Sequence, residues 1–255
     1  MTLSGKIAVV TGSSKGIGKA IALRLAKANA DVLVCANQSV ESAKVVAQEL
    51  AALGVRADVL RADLSDPNEA EKLVARAIDW QGRVDVWVNN AGVDVLTGEN
   101  AGADFYAKLD SLWQVDVVGA MRCAREIGTH MKAAGGGAIV NIGWDQAWHG
   151  MEGDSGEMFA TIKGAVMSFT KSLAKSLAPE VRVNCVAPGW IKTEWGVDAS
   201  AYWQGRAVDE SLRARWGTPE DIAEAVCFLA SPSADFVNGQ IVPVNGGFRN
   251  SSQKS

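Results

Sequence analysis

The chain is predicted to fold as a single α/β domain: a doubly wound parallel sheet of about seven strands with helices on both faces. Three observations predict it. Short apolar runs rich in Val and Ile alternate with helical patterns from end to end, as expected of strands buried on both faces and joined by helical crossovers. A glycine-rich turn, Gly12-Ser13-Ser14-Lys15-Gly16-Ile17-Gly18, stands between the first such run and the first helical pattern. No linker, repeat or charge block divides the 255 residues, so residues 1–255 read as one domain.

The elements follow in order. Residues 6–11 (KIAVVT) are a continuous apolar strand, and 16–29 the helix beyond the glycine turn. Residues 31–36 form the second strand, 40–53 a helix and 55–60 the third strand. Asp66-Pro67 opens the next helix, because proline lacks an N–H that a first helical turn leaves unpaired anyway. Residues 84–89 (VDVWVN) are the fourth strand. A helical pattern covers roughly 103–131, and Gly135-Gly136-Gly137 breaks it before a strand at 138–142. A helix over about 156–177 precedes the strand at 181–186. Residues 187–216, rich in Gly and Trp, read as a substrate loop or lid. Residues 219–230 are helical and 240–244 are the last strand, while 248–255 form a flexible tail.

Composition narrows the function classes. With 48% hydrophobic residues the chain can bury a full core, and a net charge of −4 argues against nucleic-acid or membrane-surface partners. No apolar run is long enough to cross a bilayer, and the first residues lead directly into a strand rather than a secretion signal. Cys35, Cys123, Cys185 and Cys227 are widely spaced in apolar surroundings. They read as free, buried thiols of a reducing cytoplasm, and no metal site is expected.

The glycine turn carries the first chemistry. Its glycines let backbone approach a pyrophosphate, and the helix that follows offers free N–H groups and the positive end of its dipole. An NAD site wants a carboxylate at the end of the second strand, to accept from the ribose 2′-hydroxyl. That place holds Ala36-Asn37-Gln38-Ser39, with no acid to repel a 2′-phosphate. Lys15 adds a positive charge inside the turn, and Asn37 and Ser39 can donate hydrogen bonds. NADP(H) is therefore favoured over NAD(H).

The glycine turn, Asp63-Leu64, Asn89-Asn90-Ala91-Gly92, Pro188-Gly189 with Thr193, and Asn245-Gly246-Gly247 occur in an order and spacing that resemble the short-chain dehydrogenase/reductase family. The likeness covers about residues 3 to 247 and is nearest to 3-oxoacyl-carrier-protein reductases and sugar dehydrogenases. It implies a Rossmann-like fold. It also implies that Gly12, Ser14, Gly16, Ile17 and Gly18 border the pyrophosphate. By the same likeness Asp63 holds the adenine edge, with Leu64 beside it, and the backbone of Asn90, Ala91 and Gly92 lines the adenosine ribose. Ile191 and Thr193 would meet the nicotinamide carboxamide beyond Pro188-Gly189, and Lys163 the nicotinamide ribose. A homodimer or homotetramer built on the two long helices is implied as well.

In the family a tyrosine, its pKa lowered by a lysine four residues on, passes a proton to the developing alkoxide. A serine orients the carbonyl, and an asparagine holds a water beside the lysine. Here the tyrosine position is Phe159, the serine position falls on Trp144, the asparagine position is Asp116, and only Lys163 survives. The interval from Trp144 to Phe159 is about two residues longer than usual, so the serine position can also be read as Asp145 or Gln146. Phe159 has no acid, and an indole N–H donates a hydrogen bond without giving up its proton. Asp145 is the nearest candidate replacement donor, with His149, Glu152, Asp154, Glu157 and Tyr202 as weaker ones. Asp116, if ionised, would pair with Lys163. Trp144, Trp148, Trp190, Trp195, Trp203 and Trp216 fall where the substrate side should be rimmed, either as lid packing or to grip a flat hydrophobic or cationic ligand.

Three readings follow. The first is an NADP(H)-dependent oxidoreductase acting on a carbonyl-type or related small molecule, possessing a rebuilt proton donor. The second is a redox-inactive cofactor-binding or regulatory protein. The third is a lyase or isomerase that reuses the pocket.

Overall fold

A computed structural model describes residues 2–249, apart from the side chains of residues 98, 99 and 195. Residues 250–255 of the expected tail lie outside the described part. Seven parallel strands form one sheet: β1 (Ile7–Thr11), β2 (Asp31–Ala36), β3 (Ala57–Arg61), β4 (Val86–Asn89), β5 (Gly137–Ile142), β6 (Val181–Pro188) and β7 (Ile241–Val244). Their order across the sheet is β3-β2-β1-β4-β5-β6-β7. The direction of winding reverses between β1 and β4. In open α/β sheets, ligands bind at such a switch point, beyond the carboxyl ends of the strands.

The strands alternate their side chains between two apolar layers, as the period-two pleat requires. On β1, Ala8 and Val10 join a core with α1 (Gly16–Lys27), α2 (Val40–Ala51) and the helix Pro219–Ala230. Val9 points to the opposite core, with α3 (Pro67–Gln81), Cys123, Ile127 and Leu173. Each strand of the sheet's centre is thus buried on both faces, which is why β1, β2 and β4 show no polar alternation in sequence. No helix among the described residues is long and apolar enough to cross a membrane.

Helix ends follow the local chemistry. Asp66 caps α3 by accepting from the Asn68 N–H, with Pro67 at the first position and Gly82 in the left-handed conformation closing it. The helix expected over 103–131 is continuous from α4 (Phe105–Leu112) to α5 (Ala120–Ala133). Its middle, Trp113–Gly119, is a π-helix. Such a wide turn places one extra residue in the helix and frequently marks a functional position; here it carries Asp116. Between β5 and β6 run a single-turn helix, α6 (Gln146–His149), and the long α7 (Asp154–Leu177). Two short helices, α8 (Glu194–Asp198) and α9 (Ala201–Glu210), form within the segment read as lid, and α10 is Pro219–Ala230.

Candidate active site: a nucleotide cavity that meets a second cavity at Phe159

The glycine turn is held from both sides. Thr11 Oγ1 accepts the N–H groups of Asn90 and Ala91, each at 3.0 Å. Asn90 returns its amide to the carbonyls of Thr11 and Gly12 at 3.0 and 2.9 Å. A Cβ on Gly12 would stand 2.6 Å from Ala91 Cα, and one on Gly18 would stand 2.2 Å from the Gly12 oxygen. Both positions therefore need glycine to let the turn close on β4 and on the start of α1.

A cavity of about 730 Å³ opens beside this turn. Gly12, Ser14, Lys15 and Ile17 line one end, followed by Ala36, Asn37, Gln38 and Ser39. Asp63, Leu64, Asn90, Ala91 and Gly92 line the middle, and Asp116, Phe159, Lys163 and Thr193 the far end. Asp63 accepts from the hydroxyl and N–H of Ser65; these bonds hold its carboxyl below the usual range despite partial burial. The volume, the exposed start of α1 and the long wall from β2 to α7 fit a dinucleotide.

Four of the residues expected to bind cofactor stand behind the wall. Gly18 packs on the Gly12 carbonyl. Pro188 ends β6, Gly189 packs on Asn245, and Ile191 is buried and bridges to Gly217. Gly16 borders a neighbouring cavity instead. Lys15, expected beside a 2′-phosphate, reaches the other way and pairs with Glu194 at 2.7 Å.

A further basic residue lies near this rim. Arg61 ends β3, in register with Ala36 at the end of β2, and its Nε donates to the Asn37 carbonyl at 3.2 Å. An exposed guanidinium thus flanks the rim where the second strand ends. The signal was present in the parallel register of two adjacent strands, which the sequence alone does not pair.

At the far end, Lys163 and Asp116 meet. Lys163 Nζ lies 2.9 Å from Asp116 Oδ2, and Asp116 Oδ1 accepts the Val93 N–H at 3.0 Å. The π-helical turn brings the carboxylate under Gly92, where a Cβ would lie 2.8 Å from Oδ2. Asp116 is 4% exposed and the Lys163 side chain 16%.

Phe159 stands one turn before Lys163 on α7, and its ring meets Trp144 edge to face, with centroids 6.3 Å apart. Trp144 is therefore the residue after β5 that packs on Phe159. The two alternatives point elsewhere. Gln146 donates to Glu210 at 3.2 Å. Asp145 is buried, 2% exposed, and its Oδ2 accepts from Asn245 at 2.9 Å, while Oδ1 has no hydrogen-bond partner. Its carboxylate faces the β6–β7 side, not the wall that holds Phe159 and Lys163.

Burial pushes the Asp145 carboxyl up to about 6, against the opposing pull of the Asn245 amide. The folded chain then holds this proton more tightly than the unfolded one. The resulting stability is full below about pH 4 and is lost as pH rises through about 6. Asp145→Asn is expected to remove this dependence. Denaturant titrations should show wild type losing on the order of 2 kcal/mol relative to the variant between pH 4 and pH 8. A constant difference across that range would show that Asp145 does not titrate there.

Of the remaining candidate donors, Tyr202 lies in the lid, His149 ends α6, Glu152 precedes α7, and Asp154 and Glu157 are in its first turn; none lines either cavity. Glu210 accepts from Trp190 Nε1 at 2.7 Å and from Arg206 Nε at 2.7 Å. Arg206 also pairs with Glu152 at 2.7 Å, donates to the Tyr202 hydroxyl at 3.2 Å, and stacks over the Trp190 and Trp203 rings. His149 lies flat on Phe248, ring centroids 4.0 Å apart. Trp190, Trp203 and Trp216 thus pack the lid, and Trp148 is exposed. The side chain of Trp195 lies outside the described part.

A second cavity of about 690 Å³ adjoins the first. They share Lys15, Val93, Asp94, Phe159 and Thr193, and the second adds Leu96, Thr97, Glu194, Asp198 and Ala199. Phe159 stands at the junction, where a nucleotide's reactive end and a small molecule would meet.

Comparison with known proteins agrees with this geometry. The family model described as enoyl-(acyl carrier protein) reductase matches residues 12–249. Cyclohexanol dehydrogenase of Rhodococcus sp. (strain TK6) is 36% identical over 263 residues, covering 97% of each chain. The 3-oxoacyl-[acyl-carrier-protein] reductase of Aquifex aeolicus is 35% identical over 250 residues, covering 96% of this chain and 98% of its own. The crystal structure of a short chain dehydrogenase from Burkholderia cenocepacia J2315 in complex with NADP superposes with a TM-score of 0.88 at 31% identity, over 97% of this chain and 99% of that one. With the sheet order, the glycine turn and the Asn90 clamp, these likenesses place the chain in the short-chain dehydrogenase/reductase family of NAD(P)-dependent oxidoreductases.

Proposed function

We propose that this protein is an NADP(H)-dependent oxidoreductase that delivers hydride to a small organic acceptor without the family's phenolic acid. The observation that carries this is the continuity of the two cavities at Phe159, with Lys163 retained on the nucleotide side. Arg61 and the absence of an acid at Ala36-Asn37-Gln38-Ser39 support the phosphorylated nucleotide. When bound, the cofactor would supply the hydride. The chain's own groups bind and orient: Asn90 braces the glycine turn, Asp116 holds Lys163 in place, and Thr193 closes the junction. None of the residues considered as a replacement acid faces that junction, Asp145 included.

A redox-inactive cofactor-binding role is the second reading. It is favoured by the Lys163–Asp116 pair, which neutralises the one retained catalytic cation. Exposed Tyr106 and Trp113 on the α4–α5 helix support assembly through that face as a dimer or tetramer. The free, buried thiols support a reducing cytoplasmic setting.

Titration with NADPH tests the first step. Energy transfer from tryptophan to the bound nicotinamide is expected with a Kd at or below about 100 µM, weaker for NADH and weakened by Arg61→Ala. No transfer at millimolar NADPH overturns the nucleotide assignment. Given binding, NADPH oxidation against ketones, imines, quinones and pterins separates the oxidoreductase from the inactive binder.

A further inference from the structure

We propose that the acceptor is a cation, an iminium group carried on a small apolar body, in place of a neutral ketone. The inference rests on the oxidoreductase reading above and names its substrate class.

The junction of the cavities offers no phenol, and the carboxyl shared by both, Asp94, is held below its usual range as a carboxylate. Phe159 presents a ring, Trp144 covers that ring edge to face, and Lys163 is committed to Asp116 at 2.9 Å. Hydride addition to a neutral ketone leaves an alkoxide, which must be protonated or strongly stabilised as it forms. Addition to an iminium carbon has no such need. The C=N electron pair moves onto nitrogen and cancels its charge. A reduced nicotinamide nucleotide provides the hydride; the products are a neutral amine and the oxidised nucleotide, and no proton is taken up or released.

The second cavity has the charge and surface for such an ion. Asp94, Asp198 and Glu194 stand on its wall with one lysine, Lys15, which pairs with Glu194 at 2.7 Å and also acts on Asp94, so carboxylates outnumber the cation there. Desolvation works against ionisation of Asp94. Hydrogen bonds from the Thr97 hydroxyl and from the Thr97 and Leu96 N–H groups outweigh it, so the carboxyl stays below its usual range. Val93, Leu96, Phe159 and Ala199 give the apolar wall. An aromatic ring such as that of Phe159, which lines this cavity, attracts a cation and has no hydroxyl to protonate an oxyanion. A phenylalanine in place of a phenol thus removes the acid and keeps the ring's attraction for a cation.

The test uses the full chain saturated with NADPH. N,N-dimethyl-tetrahydroisoquinolinium, which is permanently charged and cannot accept hydride, is compared with its neutral hydrocarbon isostere by calorimetry. The cation is expected to bind at least about tenfold more tightly, with the preference falling as salt rises. Asp198→Asn, a change confined to the second cavity, is expected to reduce the preference at least several-fold while leaving the NADPH Kd unchanged. In turnover, N-methyl-dihydroisoquinolinium is expected to exceed tetralone in kcat/KM by at least about 100-fold, with a rate independent of pH near neutrality. Equal binding of cation and isostere, or a preference for tetralone, overturns the inference even if NADPH binds. Failure of NADPH itself to bind overturns the underlying reading as well.

Discussion

Ketone reduction is expected to appear, or to rise by about 10²–10⁴-fold, when Phe159→Tyr, Trp144→Ser and Asp116→Asn are combined. Each change has a distinct geometric task. Phe159→Tyr adds a hydroxyl one helical turn before Lys163. In wild type the Trp144 indole lies against that ring, so a new hydroxyl would meet it; serine clears the space and adds a donor to the acceptor oxygen. Asp116→Asn removes the anion at 2.9 Å that engages Lys163, freeing the ammonium to lower the phenol's pKa. Because these groups act as a unit, the triple variant should exceed the product of the single variants. The measurement is NADPH-dependent reduction of a ketone panel, with the NADPH Kd recorded in parallel. Unchanged cofactor affinity without ketone reduction would show that the scaffold, and not only its proton donor, has diverged.

The second large effect concerns stability. Asp116→Ala is expected to cost about 3–5 kcal/mol, because it leaves the largely buried Lys163 ammonium and the Val93 N–H without their acceptor. Lys163→Met strands the 4%-exposed carboxylate instead and should cost a similar amount. The double change Asp116→Leu with Lys163→Met is expected to recover much of the loss, since a buried pair is often no more stable than apolar residues of similar volume. Denaturant midpoints of the four proteins form a double-mutant cycle. A loss below about 1 kcal/mol for either single change would mean that water reaches the pair and screens it. NADPH affinity should weaken in Lys163→Met even where stability is restored, which separates a cofactor contact from a packing role.

Much of the fold was legible in order of residues. All seven strands and the main helices were placed within a few residues, because apolar runs and helical periods are set by local burial. Differences lie at ends: the third strand begins at Ala57, two residues late, and the last strand at Ile241. The π-helical turn at Trp113–Gly119 was not anticipated, since one extra residue in a helix barely disturbs its apolar pattern. Within the segment read as a Trp-rich lid, helices α8 and α9 form; α9 carries an i,i+4 Arg206–Glu210 pair, and tertiary packing brings Trp190 and Gln146 to the same Glu210 carboxylate.

The site was legible in part. The glycine turn, Asp63, Asn90 and Lys163 announce themselves by spacing, because backbone approach and a helix start are local properties. Phe159, Trp144 and Asp116 could be named as departures from a family pattern by counting residues. What counting could not supply is direction. Asp145 and Trp144 are adjacent in sequence, yet Trp144 packs on Phe159 while Asp145 turns to Asn245, a hundred residues away. Lys15 and Arg61 show the same limit: Lys15 lines the cavity but pairs with Glu194, and strand register carries Arg61 to Asn37. Sequence by itself determined the family, the glycine turn and the identity of residue 159 as a phenylalanine, each written in residue identity and short-range spacing. Tertiary structure alone decided which charges meet and which acid is buried against Asn245. Those depend on side-chain directions and strand pairing across long stretches of chain, which local periodicity does not encode.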